Sequence, residues 1–256
     1  LQATEETLTH TVVGISQLTQ PGSVESRNQL PSFLYQAHDS EISENELTLP
    51  WGNSRRQVVG TVARYLGAKT PLRLIGSAKS WLCHAGVDRR SGFLPLNAPD
   101  DVEKMSPLAV STAYLEHLKA NWNYQFPDNP LEQQDVTLTV PASCDPAARD
   151  LTAEAARAIG LERLTLLEEP QAAVYSWVKS SGEHWRDHVS VGDMILVVDV
   201  GGGTTDLSLV AVTEEDGNLV LNRIAVGEHI LLGGDNMDLA LAYRIKAKLE
   251  AEEGKS

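Results

Sequence analysis

Cysteine is scarce in this chain of 256 residues: Cys83 and Cys144 are the two it has. They stand far apart and form no C-x-x-C pattern, so a disulfide-scaffold fold is excluded. They read as two buried, reduced thiols of a cytosolic protein. Basic residues are also few. Lys plus Arg number 21 against 35 Asp plus Glu, a net charge of −14. A general nucleic-acid binder needs a basic face, and an anionic membrane surface attracts one, so both partners are excluded. Long hydrophobic runs are missing as well. The longest, Met194 to Val198, falls far short of the roughly 20 residues that a membrane span needs. The first residues, LQATEETLTHTVVG, have no basic segment followed by an apolar one, so they are no signal peptide. The first residue is Leu, which leaves the start of the natural chain open. Hydrophobic residues at 42% and charged residues at 22% fit an ordinary globular chain, which excludes collagen-like and disordered classes.

The first hundred residues give weak local signals. Thr11 to Ile15 and Leu30 to Tyr35 read as short strands around the turn Gln20-Pro21-Gly22. Val58 to Leu66 and Leu72 to Cys83 have mixed periodicity and read as helices or connectors. Residues 52–105 are expected to be an insertion rather than a core layer.

The signals sharpen from Ser106-Pro107, an N-cap followed by Pro at the first helical position. Leu108, Leu115, Leu118 and Trp122 then share a helical face. Asp135 to Val140 alternates like a strand. Asp145-Pro146 repeats the cap-then-Pro device, Leu151, Ala155, Ala158 and Ile159 form its apolar stripe, and Gly160 ends the helix. A strand at Arg163 to Leu167 and a helix from Pro170 to about Lys179 follow. Beyond a polar boundary, Met194 to Val200 reads as a buried strand, with further strands at Leu207 to Val212 and Leu219 to Val226. Gly201-Gly202-Gly203 and Asp216-Gly217-Asn218 are expected to join these three as hairpin turns. Asp235 is expected to cap a last helix. Alternating strands and helices make this an α/β fold. The second stretch restarts the pattern and stops half way, as in a fragment or an incomplete second lobe.

The chemistry concentrates in Asp199-Val-Gly201-Gly202-Gly203-Thr204-Thr205-Asp206. Glycines let a ligand approach the backbone closely, and successive N–H groups in such a turn form an anion-binding concavity. Thr204 and Thr205 add hydroxyl donors. Asp199 and Asp206 offer hard oxygens to Mg²⁺ or its waters. Phosphate, Mg²⁺ and polarised water are the parts of a phosphohydrolase. A Rossmann loop would need a helix after its glycines, and a Walker loop would need G-x-x-x-x-G-K-[ST]; neither occurs. His184 and His188, spaced i, i+4, read as a solvated linker because no third ligand stands nearby.

This segment resembles the second phosphate loop of the DnaK-type (seventy-kilodalton heat-shock) chaperones, in the actin-like ATPase superfamily. Other blocks agree in order. Val136-Thr-Leu-Thr-Val140-Pro141-Ala142 is similar to the family's strand ending in V-P-A. Ala156 to Leu161 resembles its A-G-L turn, and Glu168-Glu169-Pro170-Gln171-Ala172-Ala173 its N-E-P-T-A-A block. Gly227 through Leu232-Gly233-Gly234-Asp235 to Asp238 resembles its G-D-x-x-L-G-G-x-D-F-D. Thr9 to Val13 and Leu30-Pro31-Ser32 resemble pieces of its first strands.

The resemblance implies a ribonuclease-H-like, actin-like ATPase fold. One full lobe would run over residues 1–190, with the inserted region at about 52–105, and a truncated second lobe over 191–256. It implies ATP/ADP and Mg²⁺ as cofactors. Gly201, Gly202, Gly203 and Thr204 would hold the phosphates, and Gly233 and Gly234 the ribose and phosphate side. Asp199, Asp206 and Glu169 would organise the metal and the attacking water. Arg64 falls where the family's catalytic lysine is expected by counting. Pro141 and Arg149 would relay nucleotide state between domains. The partners implied are client polypeptides, bound through a missing C-terminal region, a J-domain co-chaperone and a nucleotide-exchange factor. The location implied is the cytoplasm.

Three departures stand out. Glu5-Glu6-Thr7-Leu8-Thr9 occupies the place of the family's first phosphate loop, and like charges there would repel phosphate. Arg64 is bulkier and planar where lysine is compact. Glu168 replaces an Asn. With the family's adenine-clamping helices also beyond the last residue, these predict weak or absent ATP turnover by this chain. The alternative is a non-hydrolysing scaffold or protein-binding module on the same fold. A small-molecule kinase of the superfamily is a third reading, without a sugar-pocket signature.

Overall fold

Short strands near the N-terminus owe their order to side chains far along the sequence. The computed structural model describes residues 10–52, 56–142, 144–228 and 230–253. The segment Glu5–Thr9 therefore lies outside the described residues. Among the described residues, contacts divide the chain into two units. One takes up Leu1–Gly76, Gly92–Met105 and Ala113–Pro130; the other takes up Ser77–Ser91, Ser106–Thr112 and Leu131–Ser256.

In the first unit, β1 (Ile15–Gln20) and β2 (Ser23–Arg27) form an antiparallel hairpin. Pro21-Gly22 is its turn rather than a break between distant strands, and Thr11 to Gly14 is not a strand. β3 (Leu34–Gln36) is the middle of a second sheet, flanked antiparallel by β4 (Gln57–Val59) and β5 (Leu74–Ile75). Helix α1 (Thr61–Gly67) lies between β4 and β5 in sequence. Leu18, Tyr35, Val58, Val62, Ala63 and Leu66 bury one another in the core. Residues 57–75, expected as part of an insertion, thus supply two of three sheet strands and a core helix. Their elements run two to seven residues, too short for periodicity to reveal them.

The second unit begins with α2 (Ala78–Cys83). Helix α3 (Pro107–Gln125) starts as expected, with Ser106 Oγ accepting from Ala109 N at 3.0 Å. Its residues 113–125 belong to the first unit. There the buried face includes His117 and Asn121, one helical turn apart. Asn121 accepts from Ser16 N at 2.9 Å and donates to Gly14 O at 3.2 Å, while His117 Nε2 donates to Ser16 O at 3.0 Å. These side chains satisfy backbone groups at the start of β1 that the hairpin leaves open.

Back in the second unit, β6 (Val136–Val140) and β7 (Leu164–Glu168) pair in parallel, joined through α4 (Pro146–Ala158), a right place for a strand–helix–strand crossover. Asp145 caps α4 by accepting from Ala148 N at 2.7 Å. Gly160 follows in the left-handed region, φ 87°, as a helix stop requires. Helix α5 (Glu169–Ser181) leaves directly from β7. Then β8 (Met194–Val200), β9 (Thr205–Glu215) and β10 (Asn218–Val226) form an antiparallel meander, and α6 (Gly234–Glu253) ends the described chain. Asp216 and Gly217 both have positive φ, 50° and 78°, the pair of left-handed residues that a two-residue hairpin turn needs.

Two expectations differ here. β8 is not buried on both sides: Met194, Leu196, Val198 and Val200 are each more than half exposed, alternating with half-buried residues. Asp235 does not cap α6 but lies in its first turn. Apolar Leu239, Leu241, Ile245 and Leu249 on that helix are exposed as well.

Candidate phosphate loop

The loop between β8 and β9 has the sequence Gly201-Gly202-Gly203-Thr204. Strand register sets its mouth. Asp199 lies directly opposite Asp206, and Val200 opposite Thr205. Asp206 is buried and Asp199 half-buried. Gly201 N donates to Thr204 O at 2.8 Å and closes the turn. The amides of Gly202, Gly203 and Thr204 have no acceptor among the described residues. Three consecutive N–H groups in a tight turn are the local signature of an anion nest.

None of Gly201, Gly202, Gly203 or Gly233 lies in the left-handed region. Gly203 and Gly233 are needed for close approach. A Cβ on Gly233 would fall 2.5 Å from Gly201 O and 2.6 Å from Gly202 O. A Cβ on Gly203 would fall 2.1 Å from Ser80 Oγ. The start of α6 is stitched to the loop: Gly234 N donates to Gly201 O at 2.9 Å, and Asp235 N to Gly202 O at 2.8 Å. Thr205 adds two more bonds, from its N to Ile230 O and from its Oγ1 to Leu232 O. The two glycine groups expected around a nucleotide, 201–203 and 233–234, therefore pack on each other.

Helix α2 lies on the same loop. Besides the Ser80 contact, Ser77 Oγ donates to Asp235 Oδ2 at 2.9 Å. Lys79 Nζ donates to Glu169 Oε1 at 2.5 Å. So the cation that the second unit places beside Glu169 is Lys79. Arg64 sits on α1 of the first unit, where it lines an open hollow with Thr19, Arg27 and Tyr65. Sequence reading missed Ser77, Lys79 and Ser80. Their partners are far away, 90 positions for Lys79 and 158 for Ser77, and no local pattern marks them.

The expected relay residues are Pro141 and Arg149. Pro141 follows β6 and is buried. Arg149, on α4, donates to Glu168 Oε1 at 3.1 Å. Arg223 of β10 pairs with the other oxygen of the same carboxylate. Glu168 is thus held by two arginines, from α4 and from β10. Arg89 makes a two-bond pair with Asp145, 2.8 and 2.6 Å. That hydrogen-bonded carboxylate raises the Arg89 pKa above its ordinary value, against the opposing effect of burial.

The two cysteines correct the reading from sequence. Cys83 and Cys144 are joined in a disulfide, with Cα atoms 5.4 Å apart; they are not separate reduced thiols. Their separation of 61 residues hid this, because only tertiary structure brings the end of α2 to the turn before α4.

Among the described residues, no three His, Cys, Asp or Glu side chains form a group able to hold a metal. His184 pairs with Asp187. Asp199 and Asp206 still fit Mg²⁺, which commonly takes one or two protein carboxylates and fills its shell with waters and phosphate oxygens. No helix among the described residues is long and apolar enough to cross a membrane.

Comparison with known proteins places the chain in a family. The family model described as "Hsp70 protein" matches residues 52–256. The chain is 32% identical over 201 residues to chaperone protein HscA of an Enterobacter species, covering 73% of this chain and 30% of that protein. To chaperone protein HscA of Proteus mirabilis it is 39% identical over 202 residues, 74% of this chain and 30% of that protein. To an HscA homolog of Acinetobacter baumannii it is 27% identical over 256 residues, 95% of this chain and 37% of that protein. The chain spans about a third of the length of these relatives.

Proposed function

This chain belongs to the Hsp70 family, and on that premise we propose that its glycine loop binds the phosphates of ATP or ADP. The observation that carries the reading is the run of free amides at Gly202, Gly203 and Thr204, with Asp199 and Asp206 opposed at its mouth. The amides donate to phosphate oxygens. Thr204 adds its hydroxyl. Gly233 and Gly234 hold the loop in shape and leave the backbone bare on the side where the nucleotide lies. Asp199 and Asp206 would hold Mg²⁺ or its waters. When bound, Mg²⁺ neutralises phosphate charge and polarises a water. Glu169 orients water, and Lys79 balances its charge and reaches for phosphate. Within the second unit, Lys79 is thus a cation of the site.

The wider reading is the nucleotide-binding part of an Hsp70-type chaperone in the cytoplasm, with one lobe to about residue 190 and a second beginning at 191. Nucleotide state would pass through Pro141 and Arg149 to a client-binding region. A J-domain co-chaperone and a nucleotide-exchange factor would act on it. Hydrolysis by this chain alone is expected to be weak or absent.

Calorimetric titration with MgADP tests the core of this reading. Saturable binding that weakens about tenfold or more in Asp199→Asn, or on removal of Mg²⁺, is expected. Absence of binding, or binding indifferent to both changes, would overturn it.

A further inference from the structure

We propose that the Cys83–Cys144 disulfide is a redox-sensitive latch that holds helix α2 on the glycine loop. The regulatory part of this proposal rests on the nucleotide reading above. The bond joins the last residue of α2 to the turn in which Cys144 N donates to Pro141 O at 3.3 Å, just ahead of the α4 cap. The residues one turn ahead of it, at the start of α2, carry the other contacts: Ser77 to Asp235, Lys79 to Glu169, and Ser80 against Gly203. One six-residue helix thus has a covalent tether at its end and the phosphate site along its length.

A helix of this length has little stability of its own. Its entry is also unfavourable, because Ser77 stands in the left-handed region at φ 55°, which a residue with a side chain adopts only when its surroundings hold it there. The placement of α2 therefore depends on tertiary ties, and the disulfide is the covalent one. A second tie lies beside it. Arg89 donates to His84 O at 3.1 Å and grips Asp145, the neighbour of Cys144. This pair keeps the two segments close when the sulfurs part, so exchange with an oxidised dithiol, which is reduced as the protein disulfide forms, can restore the bond.

The chemistry is ordinary thiol–disulfide exchange with a dithiol reductant. Cys144 is half-exposed while Cys83 is buried, so attack falls on the Cys144 sulfur. The reductant's thiolate bonds to that sulfur, the S–S bond breaks, and Cys83 leaves as a thiolate that takes up a proton. The reductant's second thiol then displaces Cys144, which leaves with its own proton. Two electrons and two protons pass to the protein, and the reductant becomes a disulfide. In the proposed cytoplasmic location a persistent structural disulfide is unusual, and such bonds act there as sensors.

The test compares the oxidised and dithiothreitol-reduced chain, with thiols counted by alkylation and mass spectrometry. Reduction is expected to raise amide hydrogen exchange at residues 78–83 and 201–204. It is also expected to weaken MgADP binding about tenfold, a usual size for coupling between two sites. The double variant Cys83→Ser/Cys144→Ser should match the reduced chain whatever the oxidant. Two free thiols after oxidation, or identical exchange at 201–204 in both states, would overturn the latch. MgADP binding that is equal in both states, with unchanged exchange, removes the latch and leaves the nucleotide reading standing. Exchange that responds while neither state binds MgADP supports the latch and removes the nucleotide reading.

Discussion

Lys79 Nζ lies 2.5 Å from Glu169 Oε1. This one contact joins a short helix to the corner where β7 becomes α5, next to the glycine loop. Lys79 is half-exposed, and its partner carboxylate is mostly covered. An ammonium on a flexible stem can exchange one oxygen anion for another, so in the proposed function the same group would serve carboxylate and phosphate.

Lys79→Met is accordingly expected to weaken MgATP binding by about tenfold or more, as for loss of a charge-assisted bond. Lys79→Arg should recover only part, because a planar guanidinium does not replace a compact ammonium. Arg64→Met should leave affinity near that of the parent. Fluorescence titration with a nucleotide analogue separates them, and an Arg64 effect larger than the Lys79 effect would return the role to Arg64.

Two neighbouring glycines should respond oppositely to a methyl group. In Gly233→Ala the new Cβ meets backbone, Gly201 O and Gly202 O, within 2.6 Å. Backbone cannot swing aside, so the loop must shift. The change should abolish nucleotide binding and lower stability by about 1–3 kcal/mol. In Gly202→Ala the nearest atom is Asp235 Oδ1 at 3.7 Å, an ordinary contact, so the fold should be retained. Thermal melts of both variants check this.

Arg89 is buried and makes two bonds to Asp145, while the Asp145 side chain is 38% exposed. Arg89→Ala should cost about 2–3 kcal/mol, less than a fully buried pair would, because water reaches the carboxylate left behind. Asp145→Ala should lose the α4 cap as well. Denaturant unfolding measures both, and a change below about 0.5 kcal/mol for Arg89→Ala would contradict the argument.

His117 gives the first unit a pH response. Burial lowers its pKa, and the hydrogen bond to Ser16 only partly offsets this. The unfolded chain takes up a proton near pH 6.5, while the folded chain resists until lower pH. Stability should therefore be complete above that value and decline as pH falls through it, by at most about 1.4 kcal/mol per pH unit. His117→Gln should flatten the melting temperature between pH 7.5 and 5.5 relative to the parent. Parallel curves for the two proteins would show that another group governs the response.

Legibility from sequence followed element length. From Ser106 onward, helices of 13 to 20 residues and strands of 5 to 11 residues carry caps and periodicity that a single sequence displays. Before it, strands of two and three residues hold too few positions to show a period, so β4 and β5 passed for an insertion. Glycine identity marked the loop, yet the contact that demands Gly233 lies across the fold at Gly201 and Gly202.

The sequence by itself determined the α/β class, the caps Ser106 and Asp145, the stop at Gly160, the meander and its glycine loop, because each rests on neighbours within a few residues. Only the tertiary structure decided that Lys79 is the cation beside Glu169, that two arginines hold Glu168, and that Cys83 and Cys144 are bonded. Those pairings join residues 19 to 90 positions apart. Distance along the chain carries no local signal, and only packing brings such groups within reach of one another.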